Sequence, residues 1–326
     1  MNVSMMSADN TPMLTVVIPT YNRCSDLKKC LDSLMMQTLM DFEVLVIDNG
    51  STDNTGELLN KYPVNVVKDN KKNLAYLSNL GWKLSNTELI VYLNDDSTVP
   101  SDWVFNILNT FNEYPTIDVV AGPVIAIGNK QEIATTYNVM YNSKYFRILA
   151  LIYNNVLCDG KLFSDVATLC DSGIATMGSI FPKSAQLRAP IYIDVFGINN
   201  LAMKKELFQT YGGFDETFTF LHFDGDFFIK YRKKGGKILF NSKLKILHFP
   251  SPVGPTRIAF HVGRDTARFY LKDIKPTTLS GYIKYILSIT FFNLFWLYKF
   301  YQTKDKSQLN GIYGFCFGVV EVIKRR

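Results

Sequence analysis

Three apolar, β-branched runs in the first hundred residues each stop at a cluster of polar side chains. TVVI ends at Pro19-Thr20-Tyr21-Asn22-Arg23, FEVLVI ends at Asp48-Asn49, and LIVYL ends at Asn94-Asp95-Asp96. Carboxylate and amide oxygens are hard ligands, so the third cluster suits a divalent cation. Polar loops able to hold a nucleotide, beside an acidic cation site, describe metal-assisted chemistry on phosphates. A second acidic pair, Asp224 and Asp226, opens a predicted helix, where the dipole favours anions. His248, one of three histidines, closes a strand-like run. Taken singly, each feature has a plainer reading: an Asx turn after a strand, an N-cap at one aspartate, a structural histidine.

The elements that must position these residues follow from periodicity. Buried parallel strands read as continuous apolar runs, and open α/β sheets bind ligands at the C-terminal strand ends. Strands are predicted at 14–18, 42–47, 89–93 and 117–121, with a weaker one at 64–67. Leu27, Cys30, Leu31, Leu34 and Met35 mark a helix over 25–37 with Ser25 as N-cap, and further helices are expected after Asp53, over 73–85 and from Ser101. This alternation implies a Rossmann-like, doubly wound, mostly parallel sheet. Residues 126–190 show no clear period and read as an irregular acceptor-side region. Phe223, Phe227, Phe228 and Tyr231 then fit one helix face that stops at Gly235-Gly236, and strand-like pieces at 237–240 and 244–249 lead to His248.

With these motifs in view, the chain resembles a family-2 glycosyltransferase of the GT-A fold, over about 13–125 and 191–250, and is nearest in motif style to the rhamnosyltransferase-like branch. The resemblance implies that Pro19–Arg23, Asp48 and Asn49 wrap the nucleoside of a nucleotide-sugar donor. Asn94-Asp95-Asp96 stands where the family carries Asp-x-Asp, which makes Asp96 a ligand of Mn2+ or Mg2+ and puts Asp95 near the ribose. Asn79 lies in a stretch like the family's asparagine-rich segment, and Asn199 and Asn200 match one that lines donor sugar and acceptor. Gly212-Gly213-Phe214-Asp215-Glu216 is the family's GGFDE signature. The following Glu-Asp-x-Asp pattern has Phe223 for its Glu, leaving Asp224 as the catalytic base and Asp226 a structural share. His248 would complete the metal shell and tilts the choice toward manganese. A nucleotidyltransferase is disfavoured because residues 18–25 lack glycine; a degenerate GT-A scaffold without turnover is the alternative reading.

Composition bounds the rest. The 326 residues are 47% hydrophobic and 14% aromatic, enough for one large α/β domain with an appendage. The expected organisation is a nucleotide-sugar-binding half (11–125), an acceptor and catalytic half (126–250), and a basic, aromatic helical tail (251–326) set off by Pro250, Pro252 and Pro255. Five cysteines without a CxxC pair favour a reducing compartment, and the N-terminal dozen residues do not read as a signal peptide. Net charge is +6, and eleven Lys/Arg against four Asp/Glu fall between Arg264 and Arg326, so the tail holds the whole excess. Since the tail is also apolar, its expected partner is an anionic membrane surface and not nucleic acid. The segment 285–298, flanked by Lys284 and Lys299, is short for a spanning helix and reads as one lying in the interface. The expectation is a cytoplasmic enzyme, peripheral on the membrane, that glycosylates a saccharide or lipid-linked acceptor.

Overall fold

The computed structural model describes residues 12–127, 147–180, 182–249 and 258–325. In chain order the elements are β1 (Leu14–Thr20), α1 (Cys24–Met35), β2 (Phe42–Asp48), α2 (Thr55–Leu59), β3 (Asn65–Lys68), α3 (Leu74–Leu84), β4 (Leu89–Leu93), β5 (Ser97–Thr98), α4 (Trp103–Glu113), β6 (Val119–Ala121) and β7 (Val124–Ala126). There follow α5 (Arg147–Ile152), β8 (Val166–Leu169), β9 (Ala175–Met177), β10 (Ile191–Ile193), β11 (Asn200–Lys204), α6 (Lys205–Tyr211), α7 (Phe223–Lys233), β12 (Ile238–Phe240), β13 (Ile246–His248), α8 (Ala259–Lys272), α9 (Leu279–Thr303) and α10 (Asn310–Lys324).

Eight strands form one sheet in the order β10-β12-β6-β11-β4-β1-β2-β3. β1 runs parallel to β2 and β4, and β2 to β3, so Thr20, Asp48 and the residues after Leu93 emerge at one edge. β11 is antiparallel to β4, with Asn200 opposite Leu93, which delivers the loop preceding β11 to that same edge. A small second sheet sets β13 antiparallel to β5, with His248 opposite Ser97. The apolar runs predicted as strands are buried: Val16, Val17, Ile18, Val91, Tyr92 and Leu93 have no exposed surface.

Two local expectations change. Ser25 does not cap α1; Arg23 stands at the N-cap, and the Asp53 carboxylate accepts from the Cys24 N–H at 3.1 Å. Asp226 does not cap α7 either, because His222 holds that position in a left-handed conformation (φ 67°). The aperiodic stretch contains α5, a π-helical turn at Tyr153–Leu157 and the β8–β9 hairpin. Its residues 128–146 lie outside the described residues, as do the three prolines taken as a boundary.

α8 packs directly on the turn that leads into α7. The Asp265 carboxylate, with no exposed surface, accepts from the backbone N–H groups of Thr219, Phe220 and Leu221 at 2.9, 2.8 and 3.2 Å. Three otherwise orphaned donors are thereby satisfied by one anion, which fixes the turn leading into α7. α10 lies across α8 at backbone contact: a Cβ on Gly263 would overlap the Gly311 carbonyl, and one on Gly314 the Phe260 carbonyl. α9 carries apolar residues on both its buried and its exposed face. Ser288, Phe291, Trp296 and Tyr298 are buried, whereas Leu279, Tyr282, Ile283, Ile286, Leu297 and Tyr301 are exposed. Among the described residues no helix is long and apolar enough to cross a membrane.

Candidate active site

The donor side is built by the loops after β1, β2 and β4. Asn22 adopts φ 53° and its side-chain oxygen accepts from the Thr52 N–H at 2.7 Å, while its own N–H donates to Ser51 Oγ at 2.9 Å. Asp48 Oδ1 accepts from the Ser51 N–H at 2.9 Å, and the Asn49 N–H donates to the Thr20 carbonyl at 2.9 Å. The two loops thus brace one another. Tyr21 stays 46% exposed, with Lys72 Nζ 3.5 Å from its ring centre. This leaves an aromatic face and a cation at the rim, suited to a base and a phosphate.

Asp95 and Asp96 are both buried. Thr20 Oγ1 donates to Asp95 Oδ2 at 2.7 Å, and Arg23 reaches Asp95 Oδ1 at 3.6 Å and Asp96 Oδ2 at 3.1 Å. Burial pushes Asp95 up to about 7, against the lowering effect of Arg23 and Thr20. Two adjacent buried carboxylates with one guanidinium, itself shared with Asp26 at 3.0 Å, form a site short of positive charge. Pairing of β13 with β5 brings His248 Nε2 to 3.0 Å from Asp96 Oδ1, a buried oxygen with no other partner. An imidazole nitrogen beside a carboxylate oxygen free of other bonds fits two adjacent ligand positions of a divalent cation, so the residues present suit the metal the resemblance implies. Among the described residues no group of three or more His, Cys, Asp or Glu side chains converges on a metal position; the remaining coordination would come from donor oxygens and water.

On the acceptor side Asp224 sits in the first turn of α7 at the wall of a cavity of about 310 Å3. Ala167, Leu169, Val195, Phe196, Leu221 and Phe269 give the cavity its apolar lining, and Asn199 and Thr176 contribute polar groups. The Gly225 N–H donates to Asp224 Oδ1 at 2.8 Å. Burial pushes the Asp224 carboxyl up to about 6 despite bonds from Gly225 and Ile198. A carboxylate of that basicity, one wall of a cavity, is suited to take a proton from a hydroxyl near neutral pH. Gly197 leaves room beside it, since a Cβ there would come 3.6 Å from Asp224 Oδ2.

Asp226 is structural. It is buried and ion-paired with Lys230 at 2.7 Å and Lys272 at 2.5 Å. Lys272 also holds Asp215 of the GGFDE turn at 2.6 Å, and its proximity helps bring that carboxyl down to about 2 although burial opposes it. One lysine of α8 therefore ties the signature turn to α7. Gly212 and Gly213 take φ 80° and 75°, conformations that L side chains resist.

Two expected ligand residues are redirected. Asn79 donates to the Phe214 carbonyl (2.9 Å) and Glu216 Oε1 (3.0 Å) and accepts from the Phe214 N–H (2.8 Å) and Trp82 Nε1 (3.0 Å). Its capacity is spent on the protein, so it clamps the GGFDE turn. Asn200 donates to the Leu244 and Pro123 carbonyls and accepts from Trp103 Nε1, stitching β11 to neighbouring loops. Asn199, by contrast, faces the cavity. Sequence reasoning missed His222, which lines the cavity stacked on Phe269 at 4.6 Å; burial pushes it down to about 4 and so keeps it neutral. It also missed Asp265 and Lys272. The spacing of Arg264, Arg268 and Lys272 at every fourth residue was the available signal, though such a stripe ordinarily faces solvent.

The fold and the two half-sites define a GT-A architecture. Residues 15–171, just under half of the chain, match the sequence profile of glycosyl transferase family 2. It is 26% identical over 173 residues to the glycosyltransferase GlyA of Streptococcus pneumoniae, covering 52% of this chain and 24% of that protein. It is 32% identical over 121 residues to a PGL/p-HBAD biosynthesis glycosyltransferase of Mycobacterium bovis, covering 35% of this chain and 47% of that one. The chain thus spans from about a quarter to about half the length of these curated relatives. In structure it is similar to the mannosyltransferase PcManGT of Pyrobaculum calidifontis, solved with GDP-Man and Mn2+, with a TM-score of 0.55 at 16% identity over 93% of this chain and 74% of that one.

Proposed function

We propose that this protein is an inverting, metal-dependent glycosyltransferase that moves a sugar from a nucleoside-diphosphate donor to a hydroxyl of a saccharide or lipid-linked acceptor in cell-surface glycan assembly. The observation that carries the reading is the placement of Asp224. Its carboxyl, raised toward neutrality, borders an acceptor-sized cavity at the sheet edge where the donor loops and the Asp96–His248 pair also emerge. Asp224 takes the proton of the attacking hydroxyl while Asn199 orients the acceptor. Thr20, Tyr21, Asp48 and Asn49 bind the nucleoside, and Arg23 balances Asp95. Asp96 and His248 hold Mn2+ or Mg2+, which when bound neutralises the departing diphosphate. The complexes of PcManGT with GDP-Man and Mn2+ support the donor class and the metal. Phe223, which stands where the family pattern has Glu, is a buried core residue packed edge-on against Phe214 at 5.2 Å; metal-dependent donor turnover discriminates the scaffold alternative.

The tail is proposed to rest on an anionic membrane surface at the cytoplasmic face. Ile286, Leu297 and Tyr301 of α9 and Tyr313, Phe317 and Ile323 of α10 form exposed apolar stripes, accompanied by Lys299, Lys304 and Lys306. Basic residues bordering an apolar helix face suit an interface bearing acidic lipids.

Turnover of UDP-, dTDP- and GDP-sugars with manganese, magnesium or chelator tests the enzymatic reading, with dTDP-deoxyhexoses tried first on motif style. Metal-dependent nucleotide release from one donor is expected. Silence across the panel in a folded protein that binds no nucleotide would overturn it.

A further inference from the structure

A second cleft, of about 440 Å3, lies behind the GGFDE turn and is not used by the reaction above. Asp215, Glu216, Thr217, Thr219 and Lys71 line one side, and Arg264, Arg268, Glu321 and Arg325 of the packed helices line the other. Lys71 pairs with Glu216 at 3.2 Å and Asp215 with Lys272 at 2.6 Å, so those charges are matched. The three arginines share two carboxylates, Asp265 and Glu321. Arg264 donates to Thr219 Oγ1 at 2.8 Å and meets Asp265 Oδ1 at 3.1 Å, while the Oδ2 of that carboxylate accepts from the three backbone N–H groups. Arg268 reaches Glu321 at 2.9 Å, and Arg264 stands 4.0 Å from the same carboxylate. Arg325 makes no ion pair among the described residues. Arg268 is also 96% buried, and its Nη1 has no hydrogen-bond partner. A guanidinium buried with an unused donor is costly unless an acceptor completes it. Its Cζ lies 5.8 Å from the Phe218 ring, a contact that satisfies no N–H.

We propose that this cleft is a binding site for a phosphate group, held by Arg264, Arg268 and Arg325 with Thr219 at its rim. Planar guanidinium forks match the tetrahedral oxygens of phosphate, and clustered arginines converge where such an anion offsets their mutual repulsion. The phosphate could be free or the headgroup of a phospholipid; the chemistry recognised is the same.

The test uses the full chain with chelator present, so that a metal–diphosphate site cannot contribute. Inorganic phosphate is titrated by calorimetry, and flotation compares vesicles of phosphatidylcholine with and without phosphatidic acid. Arg268→Gln is paired with Arg325→Gln, an exposed position at a helix end where folding is not at stake. Phosphate binding weakened about tenfold or more in both variants would establish a site for free phosphate. Recruitment only to phosphatidic acid vesicles, lost in both variants, would assign it to a lipid headgroup. Absence of binding to either probe, or binding that Arg325→Gln leaves unchanged, would overturn the proposal.

Discussion

The raised Asp224 carboxyl gives the proposed mechanism a pH signature that an ordinary aspartate could not. With its ionisation at about 6 instead of the usual 3.8, roughly 90% of the base is ionised at pH 7 and roughly 10% at pH 5. Only the ionised form accepts a proton, so kcat/KM for transfer falls about tenfold between these values. A base at 3.8 would lose less than about a tenth of its rate over that interval. The measurement is kcat/KM at saturating Mn2+, so that metal occupancy does not follow the same curve. Asp224→Asn removes the limb and lowers turnover by roughly a hundredfold or more, with donor binding retained. Stability provides the control. A carboxyl whose folded value is raised loses stability as pH rises from its unfolded value through the folded one. The Asn variant therefore melts at or above the wild type at pH 8, which separates a lost base from a damaged fold. A flat profile from pH 5 to 7, or near-normal turnover by Asp224→Asn, would refute the assignment.

The remaining predictions concern the metal pair, the clamp and the tail. Asp96→Asn and His248→Ala weaken Mn2+ binding, read by electron paramagnetic resonance with nucleoside diphosphate present, by at least the ten- to hundredfold that even outer-shell losses cost; unchanged affinity would remove them from the site. Lys272→Met leaves Asp226 with Lys230 alone and frees Asp215, costing about 1.5–3 kcal/mol in denaturant unfolding. It lowers kcat more than donor affinity, and an equal loss in both would mean the clamp does not act on the catalytic helix. Ile286→Glu with Leu297→Glu, at positions 60% and 46% exposed, abolishes flotation with anionic vesicles without lowering the melting temperature; flotation like wild type would end the interfacial reading of α9. Gly263→Ala, whose Cβ would meet the Gly311 carbonyl, destabilises the α8–α10 contact by about 1–3 kcal/mol in thermal melts.

Much of the donor half was legible because its signals are local. Parallel strands buried on both faces leave continuous apolar runs, so β1, β2 and β4 and the polar residues at their ends could be read directly. The place of Asp224 at a helix start was legible from the pattern, while its expected role as base came from the resemblance. What the linear pattern could not show was where hydrogen-bonding capacity goes. Asn79 and Asn200 look like ligand residues by type and position, yet each spends its amide on backbone carbonyls distant in sequence. His248 could be matched to Asp96 only by resemblance, because their proximity depends on the antiparallel pairing of β13 with β5.

The tail shows why charge counting misleads at such boundaries. Its basic excess suggested one exposed surface, but the residues divide by helix face. Asp265, Phe269 and Lys272 point inward, where they fix the turn before α7, line the acceptor cavity and join Asp215 to Asp226. α9 braces the segment beside the same cavity, since Ser288 Oγ donates to the Ser172 carbonyl at 2.8 Å, next to the lining residue Gly173. The exposed apolar residues of α9 and α10 lie on the opposite faces of these helices. The surface proposed to meet lipid and the groups that shape the acceptor cavity are thus carried by one helical unit. A change in how that unit sits on a membrane would be felt at Asp224 through Lys272 and the Thr219–Leu221 turn. Transfer to a lipid-borne acceptor should accordingly lose more from the Lys272→Met clamp variant than slow donor hydrolysis does, because hydrolysis does not require the acceptor cavity to be intact.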